Sequence, residues 1–223
     1  MTLRMVHGLA LNVHAHPSKG FDAFAYNTQT NTYVLCDGAN SCPNSGHAAR
    51  WLSNATARCE VQNLEQHLFA THQDMLQGFP DTASTLLHVC ADMKGLHLAS
   101  LGDSFLSVFQ RTWYGLGSWK CIHTMPRDLD AHGHPSQLVG SEVCHTLHRY
   151  TLPAQGTYCV AMLSDGPGLL MPPEWLAERL TTLGRKRPSK YDLDYLCDSM
   201  AQYALGLGCL DDTSVALIWL QYR

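Results

Sequence analysis

Five aspartates stand where apolar runs begin or end, and their type and placement suggest chemistry. Asp22 lies within Gly20-Phe21-Asp22-Ala23-Phe24, and Asp37 closes Tyr33-Val34-Leu35-Cys36-Asp37-Gly38. Asp103 follows Leu98-Ala99-Ser100-Leu101-Gly102, Asp165 follows Val160-Ala161-Met162-Leu163-Ser164, and Asp211-Asp212 precedes Thr213-Ser214-Val215-Ala216-Leu217. A carboxylate beside a buried strand is poorly hydrated, and several together repel, so a partner must offset them. Hard divalent cations do this well, because Mg²⁺ and Mn²⁺ take oxygen ligands in octahedral geometry and retain waters. Two such ions about 3.5–4 Å apart lower the pKa of a shared water and clamp a phosphoryl group for in-line attack. Glycine after Asp37 and after Asp165 permits a sharp turn and lets a backbone carbonyl approach a metal. Any one Asp-Gly taken alone reads as a tight turn, so the ordered series carries the signal.

The elements that must position these carboxylates follow from periodicity. Short strands are predicted over Gly8 to Val13, Phe21 to Tyr26 and Thr32 to Cys36, the last two joined by the turn residues Asn27-Thr28-Gln29-Thr30-Asn31. From Ser45 to about Gln77, Ala48, Trp51, Leu52, Val61, Leu64, Leu68 and Phe69 recur at helical spacing. Strands return over Thr85 to Cys90, Leu96 to Leu101, Phe105 to Phe109, Cys144 to Leu152 and Thr157 to Leu163, around an irregular loop at Arg127 to Ser136. Pro172-Pro173-Glu174-Trp175 opens a helix, Tyr191 to Leu205 forms another, and Thr213 to Leu220 is a buried strand. Strands and helices are segregated rather than alternating, which argues for antiparallel sheets with helices, an α+β fold. The stripe of Tyr191, Leu193, Tyr195, Leu196, Met200 and Tyr203 is expected to pack into the core. With no linker or repeat, residues 1–223 are expected to form one domain, with a helical segment at about 167–207.

Composition narrows the function classes. The 223 residues are 45% hydrophobic and 15% charged, enough for a sizeable core and unlike a disordered chain. A net charge of −4 with no long Lys/Arg block excludes a phosphate-backbone groove, so no nucleic-acid partner is expected. No run reaches the about 18 apolar residues of a membrane span, and Met1 to His7 lacks signal-peptide character. The nine cysteines form no C-x-x-C and read as reduced and mostly structural, which suggests a cytoplasmic protein.

The aspartate series resembles that of the metal-dependent Ser/Thr phosphatases of the PPM, or phosphatase 2C, family. That family's run is an early Asp, Asp-Gly followed by Gly-x-x-Ala, Gly-Asp-Ser, Ser-Asp-Gly, and a closing Asp-Asn or Asp-Asp before Thr/Ser-Val. Here the corresponding residues are Asp22, Asp37-Gly38 with Gly46-His47-Ala48-Ala49, Gly102-Asp103-Ser104, Ser164-Asp165-Gly166 and Asp211-Asp212-Thr213-Ser214-Val215. The resemblance spans nearly the whole chain and is closest to short bacterial branches. It implies an antiparallel β-sandwich of two sheets flanked by helices on both faces, in αββα layers. It also implies two or three Mn²⁺ or Mg²⁺ ions. Asp37 would bridge two of them, with the Gly38 carbonyl, Asp165 and Asp211 completing their ligands. Asp22 would hold metal-bound water and Asp103 a third metal, and Asp37 and Asp165 would be the catalytic carboxylates. The expected partners are proteins phosphorylated on Ser or Thr and a cognate Ser/Thr kinase pathway, with the enzyme acting as a monomer. The Arg that the family commonly offers to phosphate has no counterpart here, which leaves His14, His16 and Lys19, with His16 and Lys19 as the phosphate-binding candidates. Ala39 stands where some members carry a His general acid, so a water is expected to protonate the leaving group.

Other chemistries fit less well. His14-x-His16 and His132-x-His134 have zinc-like spacing, but the element order is wrong for the (βα) barrel that such a pair would suggest. Cys144 to Arg149 has one residue too few for a cysteine phosphatase loop. Asp128-Leu129-Asp130 and Asp192-Leu193-Asp194 follow no apolar strand and read as solvated loop or helix-start acids. The second functional class is a degenerate phosphatase-fold module that binds phosphoproteins as a regulator without turnover.

Overall fold

The computed structural model describes residues 2–13, 20–42, 44–112, 117–144, 146–184 and 186–223. They form ten strands and five α-helices arranged as two five-stranded antiparallel sheets, an α+β architecture. The chain divides into two compact units, one of residues 1–19, 105–124 and 154–223, the other of residues 20–104 and 125–153.

The first unit holds β1 (Leu3–Val13), β6 (Phe105–Arg111), β7 (Trp119–Thr124), β9 (Gly156–Leu163) and β10 (Thr213–Tyr222), in the order β1-β10-β9-β6-β7. The interior strands read as continuous apolar runs, Tyr158 to Leu163 and Val215 to Leu220, and are buried on both faces. Cys159, Ala161 and Leu163 of β9 and Val215, Leu217 and Trp219 of β10 turn one face toward a helical layer, as a period of two requires. That layer comprises α3 (Asp165–Leu170), α4 (Pro173–Thr181) and α5 (Lys190–Gly206). Pro173 stands in the first turn of α4, where its missing N–H costs nothing. The start of α5 is set by a capping box in which Ser189 and Asp192 satisfy each other's backbone N–H. Leu193, Leu196, Cys197, Met200 and Ala201 of α5 enter the core at helical spacing. The tyrosines of the same stripe do not: Tyr191, Tyr195 and Tyr203 are exposed, because their positions fall beyond the edge of the core-facing face.

The second unit holds β2 (Ala23–Asn27), β3 (Thr32–Cys36), β4 (Leu86–Ala91), β5 (Gly95–Leu101) and β8 (His148–Pro153), in the order β2-β3-β4-β5-β8. Ala23, Ala25, Val34, Cys36, Leu86 and Leu101 pack against α1 (Ser45–Thr56) and α2 (Leu64–Gly78) through Ala48, Ala49, Leu52, Leu68 and Met75. The strand expected from Cys144 starts only at His148. The Gln137 side chain donates to the Thr146 carbonyl and accepts from the Thr146 N–H, both at 3.0 Å, taking backbone groups that a ladder would have used. No described helix is long and apolar enough to cross a membrane. All nine cysteines are free, and Cys36, Cys90, Cys159, Cys197 and Cys209 are buried as small hydrophobes.

Candidate functional site

Four of the anticipated residues belong to the second unit. Asp37 leaves the buried strand β3, and its backbone is held from both directions. Its N–H donates to Thr85 Oγ1 at 3.0 Å. Its carbonyl accepts from Thr85 N–H at 2.8 Å and from Ser84 Oγ at 3.0 Å. Gly38 N–H donates to the Phe21 carbonyl at 3.2 Å, which brings the Asp37-Gly38 turn against the residue before Asp22. A Cβ on Gly38 would lie 2.8 Å from the Phe21 carbonyl oxygen and 2.8 Å from the Ser45 backbone, so only glycine fits. Asp22 is 1% exposed and Asp37 half-buried. Both carboxylates act on Cys36, whose thiol is pushed far up by its own burial and then by these negative charges.

Asp103 is tied to the same turn through a relay of hydroxyls, since Thr85 Oγ1 lies 2.8 Å from Ser104 Oγ. The Gly102-Asp103-Ser104 turn is gripped further. Gly102 N–H donates to Asp128 Oδ2 at 2.8 Å, Asp128 N–H donates to the Gly102 carbonyl at 2.9 Å, and Arg127 Nε donates to the Asp103 carbonyl at 2.7 Å. Asp128 is therefore no solvated loop acid. It is 9% exposed, and its other oxygen pairs with His148 Nε2 at 2.7 Å. Sequence reasoning missed this pair because a carboxylate that accepts backbone N–H groups in a loop looks like any turn acid until its partners are placed. Asp130, two residues on, does behave as a turn acid: it accepts from His132 N–H at 2.7 Å and His134 N–H at 3.0 Å, and these bonds lower its pKa. The cysteine-nucleophile reading also fails on physical grounds, since burial and the Asp128 charge push the Cys144 thiol up to about 11.

The remaining two carboxylates belong to the first unit, where the structure brings them together. Asp165 opens α3 directly after β9, and Asp211 sits two residues before β10. Ser164 links the two segments. Its N–H donates to the Ser214 carbonyl at 3.1 Å, its hydroxyl donates to the Asp212 carbonyl at 3.1 Å, and the same oxygen accepts from Ser214 N–H at 3.0 Å. A Cβ on Gly166 would come 2.9 Å from Cys209 Sγ and 3.2 Å from Asp211 Cβ, which shows how closely the two turns approach. Asp165 and Asp211 line an open cavity of about 390 Å³ flanked by the exposed Leu169 and Leu210. Each carboxylate also accepts from the next N–H, Asp165 Oδ1 from Gly166 at 2.6 Å and Asp211 Oδ1 from Asp212 at 2.8 Å. Both are half-buried, whereas Asp212 is buried at 4% exposure.

His14, His16 and Lys19, the first and the phosphate-binding candidates among them, lie outside the described residues. Among the described residues, no group of three or more His, Cys, Asp or Glu side chains is gathered so as to hold a metal ion. His132 and His134 have ring centroids 6.5 Å apart in a loop organised by Asp130.

No family profile matches the chain, and no curated protein does. Solved structures do. A bacterial serine phosphatase carrying an arginine-to-lysine substitution superposes with a TM-score of 0.78 at 13% identity, covering 99% of each chain. PppA of Pseudomonas aeruginosa, described as a key regulatory component of T6SS, gives 0.71 at 15% identity over 100% of this chain and 99% of its own. The serine/threonine phosphatase Stp1 of Staphylococcus aureus gives 0.73 at 14% identity over 100% and 96%. The chain thus has the fold of the bacterial serine/threonine phosphatases, in agreement with the α+β architecture expected from its resemblance to phosphatase 2C.

Proposed function

We propose that this chain is a metal-dependent Ser/Thr phosphoprotein phosphatase. The observation that carries the reading is the Asp37-Gly38 turn, a half-buried carboxylate on a backbone fixed by Thr85 and Ser84, with a glycine that no other residue could replace. The likeness of fold to bacterial serine/threonine phosphatases supports it.

The donor set suits Mg²⁺ or Mn²⁺. It is made of carboxylates and a peptide carbonyl, with no thiolate among them, and hard cations select such oxygen ligands. In this proposal Asp37, the Gly38 carbonyl, Asp165 and Asp211 would hold two ions, Asp22 would reach them through water, and Asp103 would serve a third ion. When bound, the ions would supply an activated water and neutralise charge on the phosphoryl oxygens. The protein's own part is positioning. Thr85 and Ser84 fix the backbone that carries the Asp37 carboxylate, and Ser164 fixes the spacing of the Asp165 and Asp211 turns. The Gly102 turn, held by Asp128 and Arg127, presents Asp103. Charge repulsion among carboxylates gathered around the ions would make a metal-free arrangement costly and would couple ion binding to stability. His16 and Lys19 would hold the phosphate, and a solvent water would protonate the departing serine or threonine. The substrates would be proteins phosphorylated on Ser or Thr within a cognate Ser/Thr kinase pathway.

The test is phosphate release from an aryl phosphate and from a phosphoserine peptide, with Mn²⁺ and with chelator. Activity is expected only with metal, and Asp37→Asn is expected to lower it by about 10³-fold, the several kcal/mol that such charge stabilisation contributes. A rate that is independent of metal or unchanged in Asp37→Asn would overturn the proposal. A metal-induced rise in melting temperature without turnover would instead identify a degenerate binding module.

A further inference from the structure

Tyr191 and Tyr195, two of the three α5 tyrosines that stay out of the core, border a cavity of about 700 Å³ between the end of α4 and the start of α5. Tyr191 is 76% exposed and Tyr195 68%, and the four-residue spacing places both rings on one helix face. Opposite them stand the exposed cations Arg179, Lys186 and Arg187. The Arg179 guanidinium is held in place, 4.8 Å above the Trp175 ring, which itself stacks on Tyr203 at 4.5 Å. Arg187 is anchored by donating to the Met5 carbonyl at 3.1 Å. Among the described residues that line the groove the one acid, Asp192, is occupied by the capping box with Ser189. The groove is therefore cationic on a chain whose net charge is −4, and exposed tyrosine and arginine together are the composition of binding surfaces.

We propose that this groove docks an acidic segment of a protein partner, with carboxylates on Arg179, Lys186 and Arg187 and apolar side chains on Tyr191 and Tyr195. If the phosphatase reading above holds, that partner is the phosphoprotein substrate. The distance then sets a rule of spacing. Tyr191 lies near the first turn of α5, while Cys209 N–H bonds to the Ala204 carbonyl at the far end and leads into Asp211. Fifteen helical rises from Tyr191 to Gly206 span about 23 Å. An extended peptide crosses this in about seven residues. The acidic segment thus sits at least that far along the chain from the phosphorylated residue.

Two measurements test this, one of them independent of catalysis. The metal-free protein is titrated against a short fluorescent peptide of Asp, Glu and Leu, following anisotropy. Binding that weakens with salt is expected, with about a tenfold loss in the double variant Lys186→Glu/Arg187→Glu, the sum of two reversed surface pairs. Tyr195→Ser, which leaves the charge intact, should weaken binding with little change in salt dependence. In the second measurement, the double variant should raise KM about tenfold for a phosphopeptide carrying an acidic segment at that spacing, with kcat and aryl phosphate hydrolysis unchanged. Peptide affinity equal in wild type and the double variant would overturn the proposal, as would tighter binding of a single-stranded oligonucleotide of equal charge. Failure of all turnover would sink the phosphatase reading and leave the anisotropy result standing by itself.

Discussion

The two sets of carboxylates are held in different ways. Around Asp37 and Asp103, side chains from several parts of the second unit reach in to fix the backbone: Thr85, Ser84, Asp128 and Arg127 all bond to one of the two turns. Around Asp165 and Asp211 the strands β9 and β10 supply the register, and one hydroxyl, that of Ser164, ties the turns together. The first arrangement lies in buried surroundings, the second beside an open cavity with exposed leucines. A pinned turn resists change because each of its neighbours is itself fixed. A turn on an open cavity can shift at small cost, and this contrast predicts unequal responses to the same substitution.

Adding one methyl to each motif glycine gives the largest expected contrast. In Gly38→Ala the new Cβ meets backbone atoms of Phe21 and Ser45 at 2.8 Å, and neither can move without breaking the turn. A loss of about 3 kcal/mol is expected, at the upper end of ordinary overpacking. In Gly166→Ala the nearest atom is Cys209 Sγ at 2.9 Å, a side chain at the edge of the open cavity, and about 1 kcal/mol is expected. Urea denaturation of the two variants measures the difference, and equal losses would break the contrast.

Asp128→Ala probes the pinning itself. It removes the acceptor of Gly102 N–H and the partner of His148, leaving a buried donor unsatisfied. A cost of about 2 kcal/mol is expected by denaturation. If Asp103 binds a cation, metal affinity should fall as well, because the turn that carries it is released; isothermal titration with Mn²⁺ checks this. Ser164→Ala in the other unit removes two bonds between strand ends already held by their ladder, and should cost less.

How far these features were legible in the sequence follows the same division. The interior strands were plain because burial on both faces leaves an unbroken apolar run, as in Val215 to Leu220. The edge strand β7 was not, because its inward positions are Trp119, Cys121 and His123 while Ile122 points outward, which scrambles the expected alternation. Asp37 and Asp165 were singled out by their place after such runs, and the structure puts them at the ends of β3 and β9. Asp128 was missed because its significance lies in partners 20 and 26 residues away, which no local pattern encodes. The tyrosines of α5 were assigned to the core because a helical stripe shows period without showing how wide the buried face is.

His88 provides the finest test of the difference between the units. It lies on β4, fully buried, with neither ring nitrogen hydrogen-bonded to a described residue. Burial first, then the nearby His97, Arg149 and His67, lowers its pKa to about 3 from the ordinary value near 6.5. Between those values the unfolded chain binds a proton that the folded chain refuses, so stability is complete above about pH 6.5 and falls as the pH drops toward 3. The slope from this one residue approaches about 1.4 kcal/mol per pH unit. His88→Leu should flatten the stability curve of the second unit by that amount between about pH 6 and pH 4. In the first unit, His7 is partly buried and lowered by burial and Lys190, but Asp194 opposes the shift. His7→Gln should therefore flatten the curve less. Urea midpoints recorded across this range for both variants decide the matter. An unchanged acid slope in His88→Leu would mean that the ring is protonated, or hydrated, inside the fold.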